Sequence, residues 1–562
     1  MTKIKIFFKK NFLFVLLLIL IIPTFQALIR PGYFPMHDDM QAMRLLQMDK
    51  CVKDRQIPCR WVPDMGFGYG YPQFNYYAPL PYYIMEIIHL LGFGFLDSVK
   101  AGFILSMITG AMGMYLLGSS LWGKAGGFIS ALIYTYAPYR AVDVFVRGAM
   151  GEVWAFALLP FVFWSVGKVF KGKKISVLYL ALSFSALLTS HNISAILIIP
   201  FLLAWILLIS FRNFKESPTQ FMQRIYRISI GFVWGIGIAS FFILPAWFEK
   251  NLVHVETLLS GYFNYINHFV SLNQLLFQTQ WGYGTSEVGP YDDLLLSVGL
   301  ILWVLPLISL VLNLYLKKKP SSLFVFLLIL FGWFSLFMAH SKSSFFWNNI
   351  KILSFVQFPW RFLLFSTFFF SLAAGSIALA FKKGNKLGGV WMSFLIILLF
   401  FLYRNYFIPR IWINTTDQEK FSGESWQRQQ TISIFDYLPV YAKMPPAAKA
   451  SDEPVFISGE GDIKSGQGGS NWQNWEVEVL TEKATLQFGI FYFPLWTVRV
   501  GDKLIPINYD DDLGAIKVDL NRGGQKVMLR LTNTPVRSFS NIVTLVSIFF
   551  IPIFLRKKEL IK

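Results

Sequence analysis

Long apolar runs separated by short basic clusters constrain this chain more than any other feature. Its 562 residues are 55% hydrophobic and 18% aromatic, with a mean hydropathy of +0.50. A soluble core cannot bury that much apolar surface, whereas a bilayer crossing needs about 20 apolar residues. The sequence therefore predicts an all-α polytopic membrane protein. The first apolar run lacks a small-residue cleavage site and is predicted to be a retained span.

The basic clusters predict the orientation of the spans. The net charge is +19, and Lys and Arg fall in the short segments between apolar runs, as the positive-inside rule requires for cytoplasmic loops. That rule accounts for the charge, so we expect no nucleic-acid partner. Both termini are predicted to be cytoplasmic, in the plasma membrane. About twelve spans are predicted, at 11–28, 98–121, 125–139, 151–169, 175–190, 192–211, 228–248, 293–316, 322–340, 361–381, 389–407 and 539–555.

The spans divide the chain into three parts. Residues 1–408 are predicted to form the transmembrane domain, whose first outer loop covers residues 29–97. Within that loop Pro81 to Phe95 is too short and too polar to cross, so we expect a juxtamembrane helix. Residues 409–537 are predicted to form an extracytoplasmic β-rich domain, and residues 538–562 a final span with a basic cytoplasmic tail.

The β-rich domain is predicted from alternating polar and apolar residues. Such period-two stretches, separated by Gly, Asp and Asn turns, indicate an antiparallel sheet or a sandwich-like fold. They lie at 475–479, 485–488, 496–500, 516–520 and 527–531.

Two adjacent carboxylates follow the first span. His37, Asp38 and Asp39 lie about ten residues beyond it, on the predicted outer face. One interpretation is that Asp38 or Asp39 caps a helix over residues 38–50. The other is a metal or general-base site, because charges beside the bilayer are costly and are usually kept for function. Asp38 and Asp39 are the candidate catalytic residues.

Further polar residues share that face. Arg147 and Glu152 could form a simple ion pair, and His191 could cap a helix or bind a metal. Arg361, after Trp360, could reach lipid headgroups or hold the phosphate of a bound lipid.

The first outer loop carries aromatic residues and the two cysteines of the chain. Tyr76 and Tyr77 could stack on sugars or anchor the loop at the membrane interface. Cys51 and Cys59 could form a disulfide, which spacing alone does not decide.

These motifs resemble a known superfamily. The acidic pair after the first span, the outer loop with its Pro-Leu-Pro-Tyr-Tyr stretch and a later acid are similar to GT-C glycosyltransferases that use polyprenyl-phosphate sugars. More closely, His37 to Asp39, Arg147 to Glu152, Gln357 to Arg361 and the β-rich tail resemble the bacterial membrane proteins labelled 6-pyruvoyl-tetrahydropterin synthase-related. Nothing in the chain resembles the small soluble zinc synthase of that name.

The resemblance implies roles for individual residues. Asp38 would be the catalytic carboxylate, with Asp39 and Glu152 assisting it or a divalent metal such as Mg²⁺ or Mn²⁺. Two departures matter. The family pair is often Asp-Glu, and Ala78 stands where the lipid A aminoarabinose transferase, a member of the GT-C superfamily, has a lysine before its paired prolines. Phosphate contacts are therefore assigned to Arg147 or Arg361. The candidate metal ligands are His37, Asp38, Asp39, Glu152 and His191, and the candidate substrate-binding residues are Arg147, Arg361, Trp360, Tyr76 and Tyr77.

The function predicted is transfer of a sugar from a polyprenyl-phosphate donor to an extracytoplasmic glycan, lipid or protein. The alternative is a transporter or assembly protein for lipid-linked cell-envelope glycans. A transporter would carry its essential charges near mid-membrane, whereas here they collect at the outer face.

Overall fold

Apolar helices make up most of the structure. The computed structural model describes residues 2–212, 217–289, 292–381, 386–432 and 434–556. The helices are α1 (Thr2–Leu20), α2 (Gln41–Lys53), α3 (Gln73–Tyr76), α4 (Leu80–Leu90), α5 (Phe95–Thr135), α6 (Pro138–Phe145), α7 (Met150–Phe170), α8 (Ser176–Leu188), α9 (Asn192–Arg212), α10 (Pro218–Phe248), α11 (Leu272–Phe277), α12 (Leu300–Tyr315), α13 (Lys319–Ala339), α14 (Ser344–Asn349), α15 (Leu363–Ala374), α16 (Lys386–Tyr403), α17 (Asp417–Lys420), α18 (Gly423–Thr431) and α19 (Pro535–Arg556).

Every predicted span overlaps a helix. Among the described residues, eight helical segments are long and apolar enough to cross a membrane. Three shorter apolar helices, Asn11–Thr24, Ser176–Leu188 and Leu300–Tyr315, coincide with three further predicted spans. The twelfth arises because α5 holds two predicted spans, 98–121 and 125–139.

A glycine divides α5 into two helical arms. Gly123 has φ +79° and interrupts the helical backbone, and the arms pack against each other on glycines. A Cβ at Gly127 would lie 2.6 Å from the carbonyl oxygen of Tyr115, and one at Gly118 would lie 2.9 Å from Cα of Gly127. Small residues therefore permit this close helix contact. The break lies at the predicted boundary between the two spans.

The loop between α1 and α5 is folded against its neighbours. It contains α2, α3 and α4, and a disulfide joins Cys51 to Cys59 with a Cα–Cα distance of 5.5 Å. A helix is present where the juxtamembrane helix was predicted, as α4, although it ends at Leu90 rather than Phe95; its place along the membrane surface stays a prediction. Gly92 follows with φ +102°, a conformation that ends the helix readily.

The C-terminal part contains one antiparallel sheet. Its strands are β1 (Val455–Ser458), β2 (Gly461–Gly468), β3 (Trp472–Phe491), β4 (Trp496–Val500), β5 (Lys503–Ile505) and β6 (Ala515–Leu531). The order is β1-β3-β6-β4-β5, and β2 also pairs with β3. The strands predicted at 475–479 and 485–488 merge into β3, and those at 516–520 and 527–531 merge into β6. Register shifts between β3 and β6 allow such long strands to bend rather than end.

The sheet packs on the loop between α1 and α5. Trp61 of that loop has its ring 5.6 Å from that of Trp496 and 5.9 Å from that of Phe493. Before the first strand, the chain forms the two short helices α17 and α18, which the sequence did not predict. This arrangement brings residues from both ends of the chain to the segment that contains Asp38.

Candidate active site around Asp38 and Asp39

Backbone hydrogen bonds hold the acidic pair against the connection between α6 and α7. The amide of His37 donates to the carbonyl of Val146 at 2.9 Å, and that of Asp38 to the carbonyl of Arg147 at 3.0 Å. Helix α2 begins only at Gln41, and no side chain caps its N-terminus. The interpretation of Asp38 or Asp39 as a helix cap is therefore wrong.

Asp38 is oriented by two side chains of α2. Its Oδ2 accepts hydrogen bonds from Arg44 Nη1 at 2.7 Å and from Gln41 Nε2 at 2.9 Å. Gln41 is itself fixed, because it also donates to the carbonyl of Gly148 and accepts from the hydroxyl of Tyr82. The Asp38 side chain nevertheless remains 34% exposed. A reacting group can therefore reach a carboxylate whose orientation is set.

Asp39 is held by a residue from the far end of the chain. Its Oδ2 lies 2.7 Å from Nζ of Lys420, the last residue of α17. Its Oδ1 is buried and has no hydrogen-bond partner among the residues that the structure describes. Burial raises the pKa of Asp39, and the ammonium group of Lys420 opposes that shift. Asp39 thus has one satisfied oxygen and one that a ligand could engage.

A buried charge cluster lies next to the pair. Arg147 Nη1 is 2.9 Å from Glu152 Oε2 and also contacts Asp143 Oδ1. The hydroxyl of Tyr139 donates to Glu152 Oε1 at 2.6 Å, and Arg361 Nε lies 3.5 Å from Glu152 Oε2. Burial and the neighbouring Glu152 raise the pKa of Asp143. The predicted Arg147–Glu152 ion pair is present, as part of a larger network.

Of the predicted phosphate ligands, Arg147 is buried and Arg361 half-buried, and both are bonded to protein groups. The guanidinium of Arg147 stacks 4.4 Å from the ring centroid of Trp360, whose indole donates to Ser286 Oγ at 3.1 Å. Arg361 donates to the carbonyl of Val356 at 2.7 Å and to Gln357 at 3.2 Å. Within the described part of the chain, Arg361 Nε is buried without a hydrogen-bond partner. These contacts do not support an Arg361 that extends to lipid headgroups.

The two candidate histidines have different environments. His37 is exposed, and its Nε2 lies 3.0 Å from the carbonyl oxygen of Tyr283, so that nitrogen donates. His191 Nδ1 lies 2.8 Å from Ser194 Oγ and also accepts a hydrogen bond from the backbone amide of Ser194. The His191 side chain thereby caps the N-terminus of α9. Burial lowers the pKa of His191 to about 3, so its imidazole is neutral. The capping interpretation of His191 is confirmed.

The five candidate metal ligands do not form a single ligand set. In the described parts of the chain, no three His, Cys, Asp or Glu side chains are grouped to hold a metal ion. The physical reason is charge pairing, because Asp38, Asp39 and Glu152 each form an ion pair with a lysine or arginine side chain. Of the predicted ligands, His37 is bonded to the carbonyl of Tyr283, His191 to Ser194 and Glu152 to Arg147. Asp38 and Asp39 bond Arg44 and Lys420 through Oδ2, and they stay the candidate metal ligands of this set.

Neither candidate tyrosine is an open platform for sugar stacking. Tyr76 is buried, stacks on Tyr437 at 6.2 Å, and donates its hydroxyl to the carbonyl of Glu249. Tyr77 carries the guanidinium of Arg44 over its ring at 4.5 Å. Tyr77 thus contacts the site through Arg44, whereas Tyr76 supports the loop.

Several residues of the site were missed by the sequence analysis. Gln41 and Arg44 follow Asp38 at helical spacing, a signal that could have been used to find them. Lys420 lies 381 residues from Asp39, and no local pattern connects the two. Tyr139 donates its hydroxyl to Glu152 from α6, which is a separate short helix rather than the end of a span.

The family of the chain is shown by comparison with known proteins. The family of membrane proteins described as "6-pyruvoyl-tetrahydropterin synthase related domain" matches residues 74–402, and the chain belongs to it. This confirms the resemblance seen in the sequence. The match includes Arg147, Glu152 and Arg361 but begins after Asp38 and Asp39.

Individual similar proteins are more distant. An uncharacterised protein of Lactococcus lactis subsp. cremoris (strain MG1363) is 25% identical over 383 residues, which cover 63% of this chain and 55% of that protein. The chain thus spans about half the length of that relative.

Two glycosyltransferase structures are similar at low level. The mycobacterial arabinofuranosyltransferase AftD is 13% identical, with a TM-score of 0.45 over 72% of this chain and 28% of that one. The oligosaccharyltransferase AglB of Archaeoglobus fulgidus, solved with an inhibitory peptide and a dolichol-phosphate, is 13% identical with a TM-score of 0.43, over 80% of this chain and 61% of that one. Similarity at this level does not identify a reaction.

Proposed function

We propose that this protein is an integral membrane glycosyltransferase of GT-C type. It transfers a sugar from a polyprenyl-phosphate donor to an acceptor on the outer face of the plasma membrane. The observation that carries the proposal is Asp38, an accessible carboxylate held by Gln41 and Arg44 in a loop between apolar helices. A lipid-linked donor suits this position, because its chain can lie in the bilayer while its phosphate reaches the loop.

In the proposed reaction, Asp38 acts as the general base. Its carboxylate accepts the proton of the acceptor hydroxyl as that oxygen bonds to the anomeric carbon of the sugar. The bond between this carbon and the phosphate oxygen breaks, and the polyprenyl phosphate leaves with the electron pair. Gln41 and Arg44 position the Asp38 carboxylate by hydrogen bonds. Asp39 lies next to Asp38 in the chain and is held by Lys420.

The departing phosphate needs positive charge, and Arg147 and Arg361 are the proposed source. Both lie at Glu152, and Arg361 Nε has no hydrogen-bond partner of its own. A guanidinium can exchange one anionic partner for another, and its fork matches two phosphate oxygens. Trp360 fixes the plane of Arg147, which would keep this fork oriented.

A divalent ion, Mg²⁺ or Mn²⁺, fits the acidic pair as a cofactor, if the phosphate of the bound substrate supplies the remaining ligands. Mg²⁺ is commonly held by one or two carboxylates together with substrate phosphates. Asp38 and Asp39 would supply the carboxylates, and the unpartnered Oδ1 of Asp39 is the kind of atom that a cation satisfies. When bound, the ion would neutralise charge on the phosphate.

Purified protein in liposomes tests the proposal. The donor is a polyprenyl-phosphate sugar with a labelled sugar, supplied with a candidate acceptor glycan. We expect labelled acceptor to form together with free polyprenyl phosphate in equal amounts. Movement of intact donor across the bilayer, with no cleavage of the sugar-phosphate bond by the folded protein, would instead indicate the transporter alternative.

A further inference from the structure

A polar cavity lies apart from Asp38, where the loop between α1 and α5 meets the sheet. It has a volume of about 400 Å³. Four of its lining residues are arginines, and the described residues that line it include no acid. We name it the arginine cavity and define it by Arg55, Gln56, Arg60, Asn471, Arg530 and Arg537. None of these residues belongs to the site around Asp38.

Two of the arginines are buried and incompletely paired. Arg537 is 1% exposed; its Nε donates to Glu249 Oε2 at 2.9 Å, but its Nη2 is buried without a partner. Arg60 is 5% exposed, and its Nε is likewise buried without a partner. A buried N–H group that lacks an acceptor destabilises the fold, and it does so more when it is charged. Such groups are therefore expected to have a ligand.

Electrostatics favour an anion in this cavity. Burial and the nearby positive charge of Arg537 lower the pKa of Arg60 to about 10. Glu249 pairs with Arg537 and opposes this shift, but it does not line the cavity, where the four guanidinium groups lie. An anion between them would relieve the repulsion and supply acceptors for the unpartnered N–H groups.

The position of the cavity points to the depth of lipid headgroups. Arg60 Nη2 donates to the carbonyl of Phe241 at 3.0 Å and to Asn541 Oδ1 at 2.9 Å. These partners belong to α10 and α19, which are both long and apolar enough to cross a membrane. The cavity thus lies at the end of this helix pair, beneath the sheet. On the cytoplasmic side of membranes, basic pockets between helices bind phosphate headgroups, and the same chemistry is available at the predicted outer face.

We propose that the arginine cavity binds a phosphate group, as a second ligand site separate from the site around Asp38. The arginine forks suit the several oxygens of phosphate, and the cavity is large enough to admit it with part of an attached glycerol or sugar. The phosphate belongs either to a lipid headgroup or to a soluble molecule. This proposal does not depend on the glycosyltransferase assignment.

Isothermal titration of the full-length protein in a non-ionic maltoside detergent tests the proposal. One arm uses inorganic phosphate and the other uses a short-chain phosphatidylglycerol. Arg530→Gln removes a charge from the exposed rim of the cavity, and Arg522→Gln is its matched control, an exposed arginine on the same strand β6. Arg55→Asn is a second rim variant, chosen because Asn tolerates the φ of +58° at that position.

We expect at least one probe to bind. Arg530→Gln and Arg55→Asn should weaken its binding by about tenfold, with Arg522→Gln unchanged. Binding of inorganic phosphate would identify a soluble ligand, and binding of phosphatidylglycerol alone would identify a lipid headgroup. The proposal is overturned if neither probe binds to folded protein, or if all four proteins bind equally well. Unchanged melting temperatures of the variants establish that they fold.

Discussion

Each acid of the proposed active site is paired with a different basic side chain, and the two basic residues come from different parts of the sequence. Asp38 is held by Arg44, six residues away, so its orientation is built into one short segment. Asp39 is held by Lys420, which reaches it only when α17 has packed in place. We infer that Asp38 is preorganised locally, whereas Asp39 reports the docking of the C-terminal part.

Replacing Lys420 should change how activity depends on pH. Burial raises the pKa of Asp39 and Lys420 lowers it, so Lys420→Met should raise that pKa further. The proposed site needs Asp39 in its ionised form, so the activity of the enzyme is lost as the pH falls through the pKa of Asp39. We therefore expect the acidic limb of the pH-rate profile to move to higher pH. Lys449→Met, at an exposed lysine of the same region, is the control. An acidic limb that stays in place in Lys420→Met would contradict this role.

Replacing Arg361 should act on donor binding. Arg361→Ala removes a guanidinium that the proposal places on the donor phosphate, so KM for the donor should rise by about tenfold with a smaller change in kcat. Arg404→Ala, at an exposed arginine, is the control. Steady-state kinetics with varied donor distinguish the outcomes. A large loss of kcat at unchanged KM would show that Arg361 does not act in this way.

At the scale of elements, glycines decide how closely the two arms of α5 approach. The backbone of Gly127 lies against Ser119 and Tyr115, so that any Cβ there would overlap with main-chain atoms. Gly389 in α16 is also helical but has open space around it. Because Ala is the better helix former at both positions, a difference between the two Gly→Ala substitutions reports packing rather than helix propensity.

Alanine should have opposite effects at the two positions. Gly127→Ala should lower the free energy of unfolding by roughly 1–3 kcal/mol, the usual range for an overpacked contact. Gly389→Ala should leave it unchanged or raise it by up to about 1 kcal/mol. Thermal unfolding in detergent measures both. Equal melting temperatures for the two variants would argue against the close packing of the two arms of α5.

At the scale of the whole molecule, the sequence predicted what depends on local pattern. Apolar length located the long helices but not α6, α17 or α18, and the period-two stretches located sheet residues, although not their merger into β3 and β6. Asp38 was found because two acids after a span are unusual. Lys420 was not found because its contact with Asp39 depends on how the C-terminal part packs on the loop. The metal-ligand set was predicted from residue types alone, which do not show that each acid is paired with a cation.

Cysteine labelling tests the predicted orientation. The native cysteines form a disulfide, so introduced thiols should be the reactive ones. Cysteine at Asp97 or Asp452 should react with an impermeant reagent added outside intact cells, because both side chains are exposed and lie on the predicted outer face. Lys171→Cys should react only after permeabilisation. The reverse pattern would place the proposed active site on the cytoplasmic face.

The central claim is that Asp38 is the base of a sugar transfer, and one comparison tests it most directly. Sugar transfer from a polyprenyl-phosphate donor is measured in liposomes for the wild type, Asp38→Asn and the exposed control Asp462→Asn. Because Asn keeps the shape of Asp38 but cannot take up a proton, Asp38→Asn should lower turnover by roughly 10²-fold or more, with an unchanged melting temperature. Asp462→Asn should match the wild type. Full turnover by folded Asp38→Asn would contradict the claim.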